Sequence, residues 1–170
     1  MTNSLNDVYE VFFDKVEQDK EFFVYFQLDE IQAMEIARER ARSYLRDACS
    51  YLRRLVTLDF SLSIVEDEAG VESFANKLTD DEVYLLAEIM MGFHYKRSLA
   101  KLLPKLNTFS AAELKLLHSP ANERQTYTAM VAQVWANIDR LIADYYAKDR
   151  LTGSEKMISV TLPEETEDAT

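Results

Sequence analysis

Glycine, proline and cysteine are scarce, with three, three and one in 170 residues. Folds built from sheets and tight turns use more of the first two, so long helices are expected. The lone Cys49 excludes an intramolecular disulfide and a Cys-rich metal site. Histidine occurs only at His94 and His118, and neither has a Glu three residues ahead of it. That excludes HExxH and the paired Glu-x-x-His of ferritin-like di-iron bundles. Gly70, Gly92 and Gly153 lie too far apart for a phosphate-cradling loop, and GxSxG is absent. No apolar run approaches the roughly 20 residues that span a bilayer. The start, MTNSLNDVYE, is polar and acidic, without a signal-peptide pattern. A soluble protein made in a reducing cytoplasm is expected, with no membrane partner, no metal and no cofactor.

Acidic charge is abundant. The net charge is −11, the wrong sign for a free-standing nucleic-acid binder. It is laid down in blocks. Residues 1–35 and 59–82 are acidic, 36–58 are basic, and 163–170 carry four acids and no base. Such blocks suit a chain that pairs with copies of itself or with charged partners, or else form ordinary solvated faces.

Apolar spacing predicts an all-α helical bundle. A first helix is expected over 5–18 from Leu5, Val8, Phe12 and Val16. The aromatic run Glu21–Leu28 reads as a short strand or a connector. A long helix is expected near 29–56, capped by Asp29, with Met34, Ala37, Ala41, Tyr44, Leu45, Ala48, Leu52 and Leu55 on one face. Leu58, Phe60, Leu62 and Ile64 alternate as a short strand would, and Glu66–Gly70 reads as an acidic turn. Thr79 and Glu82 form a capping box that opens a helix near 79–103, stopping before Pro104. Ser110 and Glu113 form a second box for a short helix near 111–117. Ser119-Pro120 opens the last long helix, near 120–150, with Gly153 as a left-handed C-cap. This helical domain is expected to occupy 1–153. An extended docking strand, Lys156–Leu162, and an acidic disordered tail fill 154–170.

Few residues suggest chemistry. Asp80, Asp81 and Glu82 sit where a helix dipole favours acids. His94 reads as a core or interface histidine, Cys49 as a small buried hydrophobe and Trp135 as a packing residue. No pair of groups has activating spacing, so an enzyme is not expected. One charged feature stands out. Arg38, Arg42, Arg46 and Arg53 form a row beside the apolar stripe of their helix. The row fits a solvated face partnered by Glu35 and Glu39, a phosphate or DNA contact, or a docking face for an acidic patch of another subunit.

The stretch LTDDEVYLLAEIMMGFHYKRSLAKL and the following Phe-Ser-x-x-Glu-Leu resemble structural proteins of tailed bacteriophages. So do Ser-Pro-Ala-Asn-Glu-Arg at 119–124 and ADYYAKDRLTGSEKMI at 143–158. The resemblance runs in order from about 29 to 160. The arrangement is similar to the head–tail connector adaptors, small helical proteins of the virion neck that form a ring, commonly dodecameric, beneath the portal. The resemblance implies a homo-oligomer at the head–tail junction, meeting the portal and a neck or tail-completion protein. DNA would pass through the ring without specific binding. Arg38, Arg42, Arg46 and Arg53 are then the candidate subunit interface. Lys156, Met157, Ile158, Ser159, Val160, Thr161 and Leu162 are the candidate docking strand for the portal or an adjacent adaptor. A soluble helical protein-binding module, and a weak DNA-contacting protein using the Arg row, are the alternatives.

Overall fold

The computed structural model describes residues 1–17, 20–23, 28–55, 62–107 and 120–156, apart from the side chains of 2, 20–21, 102–107 and 120–124. A short strand β1 (Thr2–Ser4) leads into α1 (Leu5–Val16). The Ser4 hydroxyl accepts the Asn6 amide at 3.2 Å and caps α1. Leu5, Val8, Tyr9, Phe12 and Val16 form its buried face. The aromatic run after it opens with one helical turn, α2 (Lys20–Phe23), which buries Phe22.

Next comes α3 (Glu30–Leu55). Asp29 caps it as expected, its carboxylate accepting the Gln32 amide at 2.8 Å. Ala37, Ala41, Tyr44, Leu45, Ala48 and Leu52 are buried, whereas Met34 and Leu55 at the ends of the stripe are exposed. Strands β2 (Ile64–Glu66) and β3 (Glu72–Leu78) follow, then α4 (Asp80–Asn107) and α5 (Pro120–Ala147). The central helix is α4, against which α1, α3 and α5 all pack. Its Leu86, Ile89 and Met90 are wholly buried, and burial of each such side chain contributes about 1.5–3 kcal/mol. Gly92 lets α5 approach closely, since a Cβ there would lie 2.6 Å from Ile138 Cδ1 and 3.2 Å from the Trp135 ring.

Three sequence expectations are corrected. The body is mainly helical but not all-α. A three-stranded antiparallel sheet, ordered β1-β3-β2, packs Phe74 and Leu78 into the helical core. The strand expected over Leu58–Ile64 is placed at Ile64–Glu66, with Leu62 buried just before it; Leu58 and Phe60 lie outside the described residues. The acidic turn is present. The Asp67 carboxylate accepts the Ala69 and Val71 amides at 2.9 and 2.8 Å, and Gly70 takes φ +79°. Second, α4 continues through Pro104 to Asn107. Proline removes a single amide donor, and only in the last turns of this helix. Third, α5 ends at Ala147, not Arg150. The short helix near 111–117 and its Ser110/Glu113 capping box lie outside the described residues.

Candidate docking surfaces

Arg38, Arg42, Arg46 and Arg53 lie along the side of α3 that faces the β2–β3 hairpin. Arg38 and Arg42 line a cleft of about 700 Å³ with Ser4, Tyr9 and the hairpin residues Gly70–Ser73. Arg46 and Arg53 line a second cleft, about 380 Å³, with Cys49, Ser50, Leu62, Ser63 and Ile64. The partner in view for two of them is within the chain. Arg42 makes an ion pair with Glu72, and Arg46 Nη2 lies 3.5 Å from the same carboxylate oxygen. Arg53 donates to the Cys49 carbonyl at 3.2 Å and the Ser50 hydroxyl at 3.4 Å. Arg42 and Arg46 therefore tie α3 to β3 within one chain. Three of the four arginines, Arg38, Arg46 and Arg53, are exposed, with the Arg46 side chain at 60 %.

The buried polar residues behave as packing groups. His94 sits edge-on among Phe12, Phe22 and Tyr44, with ring centroids 5.4–6.5 Å away. Burial pushes the Cys49 thiol up to about 12, against a smaller opposing effect of Arg53, so it stays protonated at neutral pH. Burial and the nearby Glu72 carboxylate likewise push the Tyr9 hydroxyl up to about 12. Trp135 packs edge-on against Tyr51 and Phe93, both at 5.2 Å. Cations outside the row cover aromatic faces, among them Arg40, 4.4 Å from the Phe22 ring, and Arg97, 4.5 Å from Tyr44.

The second region lies where α5 meets the start of α4. The expected capping box is formed, with the Thr79 amide 2.7 Å from Glu82 Oε2 and the Glu82 amide 3.3 Å from Thr79 Oγ1. Glu82 does more than cap. It is 2 % exposed, and its Oε1 accepts both the Tyr145 hydroxyl and Arg150 Nε at 2.6 Å. Arg150 Nη2 reaches Glu82 Oε2 at 3.1 Å and the Lys77 carbonyl at 2.5 Å. Burial alone would push the Glu82 carboxyl up. The donors from Arg150, Tyr145 and Thr79 outweigh it and hold the group below the usual carboxylate range. One carboxylate thus ties the end of β3, the start of α4 and the end of α5.

Beyond α5 the chain folds back on itself. Asp149 accepts the Leu151 and Thr152 amides at 3.1 and 2.8 Å and the Thr152 hydroxyl at 2.8 Å. These three bonds lower its carboxyl pKa. Gly153, at φ +67°, belongs to this turn and is not the helix cap. Lys148 and Glu155 form a β-bridge, and the Lys156 amide bonds the Ala147 carbonyl at 2.8 Å. The chain turns back at Gly153, and Lys156 is held against α5. Met157, Ile158, Ser159, Val160, Thr161 and Leu162 lie outside the described residues. Among the described strands, β1 and β2 form the two edges of the sheet.

Among the described residues no group of His, Cys, Asp and Glu could hold a metal ion, and no helix is long and apolar enough to cross a membrane. Comparison with protein-family models, with curated proteins and with solved structures gave no match.

Proposed function

We propose that the chain is a structural protein of a tailed-phage virion, a head–tail connector adaptor. In this reading copies assemble into a ring between the portal and the neck or tail-completion proteins, and DNA passes through the duct they form. The observation that carries it is the Asp149–Gly153 turn. This segment, Asp-Arg-Leu-Thr-Gly, is among the most specific parts of the phage-protein resemblance, and it is a built structure: Asp149 closes the turn and Arg150 anchors it on the buried Glu82. A turn fixed in this way aims whatever follows it, as a docking tail requires. Two further features fit. The basic flank of α3 and the acidic blocks of the same chain supply unlike faces, and head-to-tail contacts between unlike faces close a ring. A net charge of −11 repeated around a duct repels phosphates, so DNA slides without sticking.

Joining of DNA-filled heads to tails tests the proposal. Heads and tails made without this chain are expected to stay separate and to join when purified protein is added. Joining in its absence would reject the role.

A further inference from the structure

The outer edge of β2 is the most informative unclaimed surface. The sheet order β1-β3-β2 leaves that edge without a partner strand among the described residues. The Ala75 amide bonds the Ser63 carbonyl and the Asp67 amide bonds the Val71 carbonyl, so residues 63, 65 and 67 face β3. Antiparallel alternation then points the amides and carbonyls of Ile64 and Glu66 away from the sheet. The hairpin also exposes two apolar side chains, Val65 at 45 % and Val71 at 59 %. An edge of this kind is a template for strand addition. The 380 Å³ cleft lies beside it, with Leu62, Ile64 and Cys49 as apolar lining, Arg46 and Arg53 as a basic flank and Glu72, paired with Arg46, as its one acid.

We propose that Met157–Leu162 of one copy adds as a strand to the outer edge of β2 in a neighbouring copy, with the acids that follow it meeting Arg46 and Arg53. The chemistry of the segment matches the surface in order. Ile158, Val160 and Leu162 alternate with Met157, Ser159 and Thr161, one apolar face and one mixed. At about 3.3 Å per residue these six residues reach about 20 Å. Pro163 ends the ladder, and Glu164, Glu165, Glu167 and Asp168 come next. Donor and acceptor also lie apart on the chain. Arg150 holds the turn before the tail at the Lys77 carbonyl and Lys156 is held at Ala147 of α5, whereas β2 pairs with residues 72–74 at the other end of β3. Donor and acceptor at separate places make a heterologous contact, the kind that closes a ring. This inference deepens the ring reading above and rests on it for the second copy.

Paired cysteines test it on the full-length chain. One preparation carries Val65→Cys; three others carry Ile158→Cys, Ser159→Cys or Val160→Cys. Cys49 is buried and its thiol stays protonated, so it does not compete. After mixing under mild oxidation, links between chains are expected at alternate tail positions, strong at 158 and 160 with 159 weak, or the reverse. Equal linkage at all three, or no linkage, would overturn strand addition. A double-cysteine chain that links only within itself would show the tail on its own β2 edge and also overturn it. Glu66→Pro removes one outward amide and no β2–β3 bond, so sedimentation should show at least a tenfold loss of self-association with unchanged helix content. Unchanged self-association would count against the proposal. The two readings fail separately. Strand linkage without head–tail joining would reject the connector role alone, and joining without linkage would reject the strand exchange alone.

Discussion

Arg150→Met is expected to cost about 3 kcal/mol of stability, the lower end of the range for breaking a buried ion pair, because Glu82 keeps its burial and loses its cation. For a domain of this size that lowers Tm by about 6–12 °C. The arginine side chain is 25 % exposed, which is why the lower end applies, whereas the carboxylate has almost no water to fall back on. Two donors remain in the variant, the Tyr145 hydroxyl and the Thr79 amide, so the carboxylate is weakened rather than orphaned. Glu82→Gln in the same background should recover part of the loss, since a neutral amide is cheaper to bury than an unpaired charge. The pH dependence has a definite sign. The folded-state pKa of Glu82 is depressed, so its contribution is fully present above the ordinary carboxylate value of 4.5 and is lost as pH falls through the folded value. Denaturant titrations from pH 7 downward should therefore show wild type and Arg150→Met converging in acid. A constant gap across that window would contradict the assignment of Glu82 as the ionised partner.

Truncation after Lys156 is expected to abolish joining of heads to tails while leaving the body folded. The bonds of the final turn run among residues up to 156, including the Lys156 amide on Ala147 and the Asp149 amide on Ser154. Removing 157–170 leaves those bonds whole, so unfolding should shift by no more than about 0.5 kcal/mol. Cutting after Gly153 would be a poorer test, because it removes Ser154 and Lys156 and loosens the turn that carries Arg150. Joining at the full-length rate by the truncated chain would show that the tail has no docking role. A folded, non-joining truncation is the predicted outcome.

Features written in short stretches of sequence were legible. Asp29, the Thr79/Glu82 box and Pro120 at a first helical position all mark helix starts, because capping is a contact between residues two or three apart. The α3 stripe was legible at its centre and not at its ends, where Met34 and Leu55 are exposed. The sheet was harder to read. In β3 only Phe74 and Leu78 are buried, while Asn76 holds the inward position between them, so the alternation is broken where it would have been decisive. Three-residue strands such as β1 and β2 carry almost no period at all. The Arg row was visible as a face, but its partner Glu72 lies 30 residues from Arg42 in the chain. Likewise the sequence marks Glu82 as a cap, but its pairing with Arg150, 68 residues away, lies beyond helical spacing. Tertiary charge pairs of this kind leave no local pattern.

The most direct test of the connector role is an electron cryomicroscopy reconstruction of the neck of a virion carrying this chain. A closed ring beneath the portal is expected, each subunit showing α4 packed between α1, α3 and α5, with the segment after Lys156 running onto the β2 edge of the next subunit. A neck without this chain would contradict the central claim.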